Sequence, residues 1–141
     1  MMTQTSLNLV THTLVPENQR MAVVDRLFGM RFPLELEPFI YGITERMAES
    51  YKGGLWSFHQ LSNGGFYMAP ADDRTYHVVC DNFFQGDLSA DALGITACLT
   101  AYSHLSFSGN VFAHTYADHF YRLREFMLDH PEVRAILGAT D

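Results

Sequence analysis

Charge is scarce in this sequence. Asp, Glu, Lys and Arg together make up 18% of the 141 residues, and none of them occurs from Ala92 through Ala117. Only nine residues are Lys or Arg, against 16 Asp or Glu, for a formal net charge of −7. A chain so short of basic residues lacks the electrostatic means to hold nucleic-acid phosphates non-specifically. The acids are also scattered, with no run of three, so a continuous acidic track imitating DNA is disfavoured and stands only as an alternative. There are two cysteines, Cys80 and Cys98. Neither belongs to a CxxC pair or has His at metal-finger spacing, which points to free buried thiols in a reducing compartment. The first fifteen residues, MMTQTSLNLVTHTLV, lack a basic region, a long apolar core and a small-residue cleavage site. No secretory signal is therefore expected, and the chain is expected to be cytoplasmic. Internal repeats and low-complexity tracts are absent too.

Apolar and aromatic residues are plentiful. Hydrophobic residues make up 48% and aromatics 13%, with 11 Phe and 7 Tyr, which excludes disorder and suits one aromatic-rich core spanning 1–141. The only Trp and both Gly-Gly pairs fall in Tyr51–Pro70, YKGGLWSFHQLSNGGFYMAP. Leu55–Leu61 and Phe66–Ala69 read as strands joined by Ser62-Asn63-Gly64-Gly65, a turn that tolerates positive φ. Pairing them would gather Trp56, Phe58, Phe66 and Met68 if the register puts them on one face. Thr75–Cys80 reads as the third strand of the meander, Asp81–Leu88 as a loop, and Leu7–Val15 as a weak strand or arm.

Helical periodicity marks Arg20–Phe28, ended by Gly29, and roughly Glu37–Ser50, with Ile40, Ile43, Met47 and Tyr51 as the buried stripe. Ser89 is placed to cap a helix over Ala90–Leu105, with Asp91 in its first turn. That helix is charge-free beyond its first turn, but its hydroxyls, Gly94 and His104 make it too polar and too short to cross a membrane, so a buried central helix is expected. Asn110 can cap Val111–Asp129, where Phe112, Tyr116, Phe120, Leu123 and Met127 form a stripe. Glu132–Leu137 is expected as a last short helix ended by Gly138, with Ala139, Thr140 and Asp141 free. The fold class expected is α+β: a small antiparallel meander of three to four strands packed by four to five helices.

Catalytic signatures are weak. His114 and His119 are five apart, which points them in different directions on a helix, unlike the i, i+4 pairs of zinc hydrolases. His59 and His77 lie on different strands, and His114 with Asp118 lacks a nucleophile placed beside it. A His-dependent hydrolase therefore remains the alternative, and no cofactor or metal is expected. The surface acids Asp72, Asp73, Asp81 and Asp87, with Phe83 and Phe84 beside them, suit docking to a basic protein surface.

Four blocks carry a further signal: LFGMRFPLELEPFIY, Tyr51–Pro70, SADALGITACLTAYSHLSF and HFYRLREFMLDHP. In order and spacing they resemble the antirestriction proteins of the ArdB/KlcA type, carried by plasmids and other mobile genetic elements. The resemblance covers nearly the whole chain. It implies host defence evasion, with relief of type I restriction-modification acting on incoming DNA, and a non-enzymatic inhibitor. The implied partner is the type I complex or a host factor controlling it, without direct nucleic-acid or membrane binding, in a monomer or weak homodimer.

Overall fold

The computed structural model describes residues 9–141, in which five strands and five helices surround one hydrophobic core. Three strands, β1 (His12–Leu14), β2 (Trp56–Leu61) and β3 (Phe66–Pro70), form an antiparallel sheet in that order. A separate antiparallel hairpin pairs β4 (Thr75–Val79) with β5 (Gln85–Ser89). The helices are α1 (Arg20–Phe28), α2 (Glu37–Met47), α3 (Ala90–Ser106), α4 (Ala113–Met127) and α5 (Val133–Thr140). A π-helical turn, Phe32–Leu36, links the first two. The α+β class and the Tyr51–Pro70 hairpin are as expected. None of the helices among the described residues is long and apolar enough to cross a membrane.

Register settles the aromatic nucleus. Phe58 pairs with Met68 and Trp56 with Pro70, so Trp56, Phe58, Phe66 and Met68 share one face. The rings of Phe58 and Phe66 lie 5.5 Å apart at 87°, and Phe32 meets Phe58 edge-on at 5.7 Å. Trp56 donates its indole N–H to the Tyr51 hydroxyl at 2.8 Å, which removes the penalty of burying that group.

The central helix lies against the open edge of β3. Gly94, Cys98 and Tyr102, four residues apart, face it in succession. A Cβ on Gly94 would lie 2.3 Å from the Ala69 Cβ and 2.4 Å from the Met68 carbonyl oxygen, so only glycine permits this approach. The Cys98 thiol meets both the N–H and the carbonyl of Met68 at 3.5 Å, and Tyr102 donates to the Phe66 carbonyl at 2.8 Å. Pro70 has no N–H to leave exposed. An edge that could template aggregation is closed by side chains instead of another strand. Cys98 is fully buried, its thiol pushed up to about 12 by that burial, while Cys80 is half-buried; both are free.

Several boundaries differ from expectation. Thr75–Val79 is not a third strand of the meander, because the Asp81–Leu88 segment folds back as β5 and takes its hydrogen bonds. The third strand is β1, shorter than the expected arm, of which Leu7 and Asn8 lie outside the described residues. Thr96 is buried, its hydroxyl satisfied by the Ala92 carbonyl at 2.8 Å. Asn110 accepts from the Phe112 N–H at 2.8 Å and turns the chain just ahead of α4. Gly138 does not end α5: the helix runs through it to Thr140, burying Ala139. A Cβ at Gly138 would stand 2.7 Å from the Phe84 ring, so this glycine makes room for a side chain and does not terminate a helix.

Candidate functional site

The four surface acids all belong to the β4–β5 hairpin or its approach. Tyr76, Val78 and Leu88 point into the core, while Thr75, His77, Val79, Gln85 and Asp87 form an outward face. Asp72 and Asp73 precede β4 at one end, Asp81 sits in the turn at the other, and Asp87 lies midway opposite His77. Strand rise puts the two ends of the hairpin roughly 13 Å apart, so the acids make a line and not a pocket.

Within that line the roles separate. Asp72 accepts from the Arg74 N–H at 2.9 Å and from the Tyr76 hydroxyl at 2.7 Å; it builds the turn into β4. With burial, this carboxylate raises the Tyr76 hydroxyl above its ordinary value. Asp87 meets His77 Nδ1 at 2.9 Å with both side chains more than half exposed, a pair worth little to stability. Asp73 and Asp81 are exposed.

The candidate histidines are not brought together. His59 lies in the three-stranded sheet, His77 in the hairpin, and His114 is exposed on α4. No three His, Cys, Asp or Glu side chains converge as metal ligands among the described residues. His119, absent from the expected α4 stripe, is 2% exposed, between Phe28 and Tyr102, and its Nδ1 has no partner. Burial, reinforced by Arg122, lowers its pKa to about 4.

What sequence reading missed is a polar network drawn from five separate stretches. Asp91, in the first turn of α3, accepts from the Tyr67 hydroxyl at 2.8 Å and from His130 Nε2 at 2.9 Å. The Glu132 N–H donates to His130 Nδ1 at 3.0 Å, which places the His130 proton on Nε2, toward Asp91. Burial alone would raise the Asp91 carboxyl, but the bonds from His130 and Tyr67 outweigh it and hold it below its ordinary value. Glu132 in turn accepts from the Ser89 N–H at 2.9 Å and from its hydroxyl, while Ser89 caps α3 through the Ala92 N–H.

The network continues to the edge strand. His12 Nδ1 lies 3.3 Å from the Tyr67 oxygen and 3.2 Å from His59 Nδ1. Because Tyr67 gives its proton to Asp91, the Tyr67 oxygen accepts from His12 Nδ1–H, and that single proton is shared with His59 Nδ1. His59 then carries its proton on Nε2 and donates to Ser57 Oγ at 2.9 Å, and Ser57 donates to the Ala69 carbonyl at 3.3 Å. In this arrangement the serine proton points to the backbone and not to an imidazole, so Ser57 and His59 are not set as nucleophile and base. Burial, the largest influence on His59, lowers its pKa to about 4. Phe126 of α4 stacks on Tyr67 at 5.7 Å and leaves His12 exposed at the outer end of the cluster. Its work is to tie β1, β2, β3, α3 and the α4–α5 connection together.

Comparisons with known proteins agree with this architecture. A family model described as "Antirestriction protein" matches residues 49–141, from just before β2 to the end of α5. The chain is 43% identical over 137 residues to the uncharacterized protein YafX of Escherichia coli K12, covering 94% of this chain and 88% of that protein. It is 39% identical over 135 residues to the antirestriction protein KlcA of Escherichia coli, covering 94% of this chain and 95% of that protein. A solved structure superposes with a TM-score of 0.86 at 38% identity, covering 94% of this chain and 95% of its own. It is described as showing that KlcA and ArdB have a novel fold and antirestriction activity against type I DNA restriction systems in vivo but not in vitro.

Proposed function

The chain belongs to the antirestriction protein family, and on that premise we propose that it relieves type I restriction of incoming mobile-element DNA in the cytoplasm, by binding a protein and not by catalysis. The observation that carries the reading is the description of its structural relatives as active in vivo but not in vitro. An inhibitor that needs only the restriction enzyme acts in a purified reaction; one that needs a further cellular component does not. A host factor controlling the type I complex is therefore favoured as the direct partner over the complex itself. The same contrast disfavours the acidic DNA decoy, which would compete with DNA in any reaction. A His59 that donates to Ser57 likewise gives the hydrolase reading no support.

The surface proposed for docking is the outward face of the β4–β5 hairpin. Asp73, Asp81 and Asp87 meet a basic partner there, and Asp72 shapes the turn. The test is plating of unmodified phage on a host with an active type I system, with and without this protein, beside modified phage. Relief confined to unmodified phage is expected. Equal plating with and without soluble protein would contradict the reading.

A further inference from the structure

The β4–β5 turn departs from what its own geometry favours. Phe83 N–H donates to the Cys80 carbonyl at 2.9 Å and Cys80 N–H to the Phe84 carbonyl at 2.9 Å. This makes residues 81–83 a three-residue hairpin loop, a type I turn followed by a left-handed residue. That last position normally takes glycine or asparagine, because a Cβ there crowds the backbone. Here it is phenylalanine at φ 73°, the single non-glycine residue with positive φ among the described residues. Its side chain is 93% exposed. No packing within the chain offsets the strain.

The turn is also held rigid around it. Asn82, the residue type that tolerates the left-handed position, sits one place early and acts as a clamp: its Nδ2 donates to the Gly138 carbonyl at 2.9 Å and its Oδ1 accepts from the Phe84 N–H at 3.1 Å. Phe84 turns inward and fills the space beside Gly86 and Gly138, where Cβ atoms would stand 2.9 Å and 2.7 Å from its ring. One phenylalanine anchors the loop to α5 and the other is aimed at solvent. Backbone strain retained at an exposed aromatic is where a functional role is to be sought.

We infer that Phe83 is the apolar anchor of the docking hairpin and enters a hydrophobic pocket with a basic rim on the partner protein. This rests on the docking reading above and adds where its binding free energy is concentrated. Asp81 lies two residues away and Asp87 farther along the same hairpin, while Val79, 52% exposed, widens the apolar tip. Acids running from the tip along the hairpin call for Lys or Arg beside the pocket on the partner. A second copy of this chain fits poorly, since its net charge is −7, and an anionic membrane surface repels the same acids. Aromatic side chains dominate such interfaces, and a pre-ordered backbone removes much of the cost of fixing one in place.

The test is Phe83→Gly, compared with wild type in the plating assay and in thermal melting of the purified protein. Glycine suits the left-handed position, so the variant is expected to melt at the wild-type temperature or above it, while relief in the plating assay is largely lost. Phe83→Leu, equally strained but apolar, is expected to keep part of the relief. Equal relief by wild type and Phe83→Gly would overturn the anchor and leave the functional reading standing. Joint loss of melting temperature and relief would make Phe83 a folding residue and overturn it too. A wild type without relief would remove the functional reading and the anchor with it.

Discussion

The two antiparallel sheets of this protein are built on opposite plans. In the three-stranded sheet β2 and β3 are largely buried on both faces, the β3 edge is closed by Cys98 and Tyr102, and His12, His59 and Tyr67 are spent on the polar network. The two-stranded hairpin hides Tyr76, Val78 and Leu88 and turns its other face to solvent, with acids along it and a strained Phe83 at its tip. The difference teaches where to look for function. Several side chains that look chemical, His12, His59, His119, His130, Tyr67 and Asp91, are engaged inside the fold, whereas the proposed docking surface is made of side chains that look unremarkable.

If that division is right, damage to the first sheet should show in stability. The largest effect is expected from Gly94→Ala, whose methyl would collide with the Ala69 and Met68 backbone; a loss of about 3 kcal/mol or more, read from chemical denaturation, follows from overpacking against groups that cannot yield. Acid should come next. His59 and His119 have pKa values of about 4 in the fold, against about 6.5 when unfolded. Between those values the unfolded chain binds more protons, so the stability is whole above about pH 6.5 and is lost as pH falls toward 4. For the fully enclosed His119 the loss by pH 4.5 amounts to about 2–3 kcal/mol. His119→Leu should therefore flatten the acid limb of the stability profile; an unchanged limb would assign the loss elsewhere.

Asp91→Asn should cost about 2 kcal/mol by denaturation at neutral pH, because the amide has one acceptor oxygen for two donors, Tyr67 and His130. The smallest effect should come from the hairpin. His77→Ala breaks the exposed pair with Asp87 and should change stability by less than about 0.5 kcal/mol. A large loss there would erase the contrast between the sheets.

Local pattern carried much of the fold. The helix Arg20–Phe28, the Ser89 cap and the turn Ser62–Gly65 follow from periodicity and side-chain chemistry close at hand. β5 was not legible because QGDLS has no β-branched residue and contains Gly86, which works in a strand only because the Phe84 ring occupies the empty side-chain space. Gly138 misled for the same reason: a glycine before a polar end signals a helix stop unless a distant ring needs the room. Asp91 could be read as a helix-dipole complement, but its partners are 24 residues before it and 39 after, and nothing short-range announces them. The four acids proposed for docking were visible as exposed charge, yet the engagement of Asp72 with Tyr76 depends on a strand that must first form.

The claim that the hairpin is the working surface is tested most directly by Asp73→Asn/Asp81→Asn/Asp87→Asn, with Asp72 kept because it builds the turn. Relief of type I restriction and denaturation of the purified protein would be measured side by side. The account predicts stability within about 0.5 kcal/mol of wild type together with loss of relief. Full relief at wild-type expression would contradict it and move the docking surface elsewhere on the molecule.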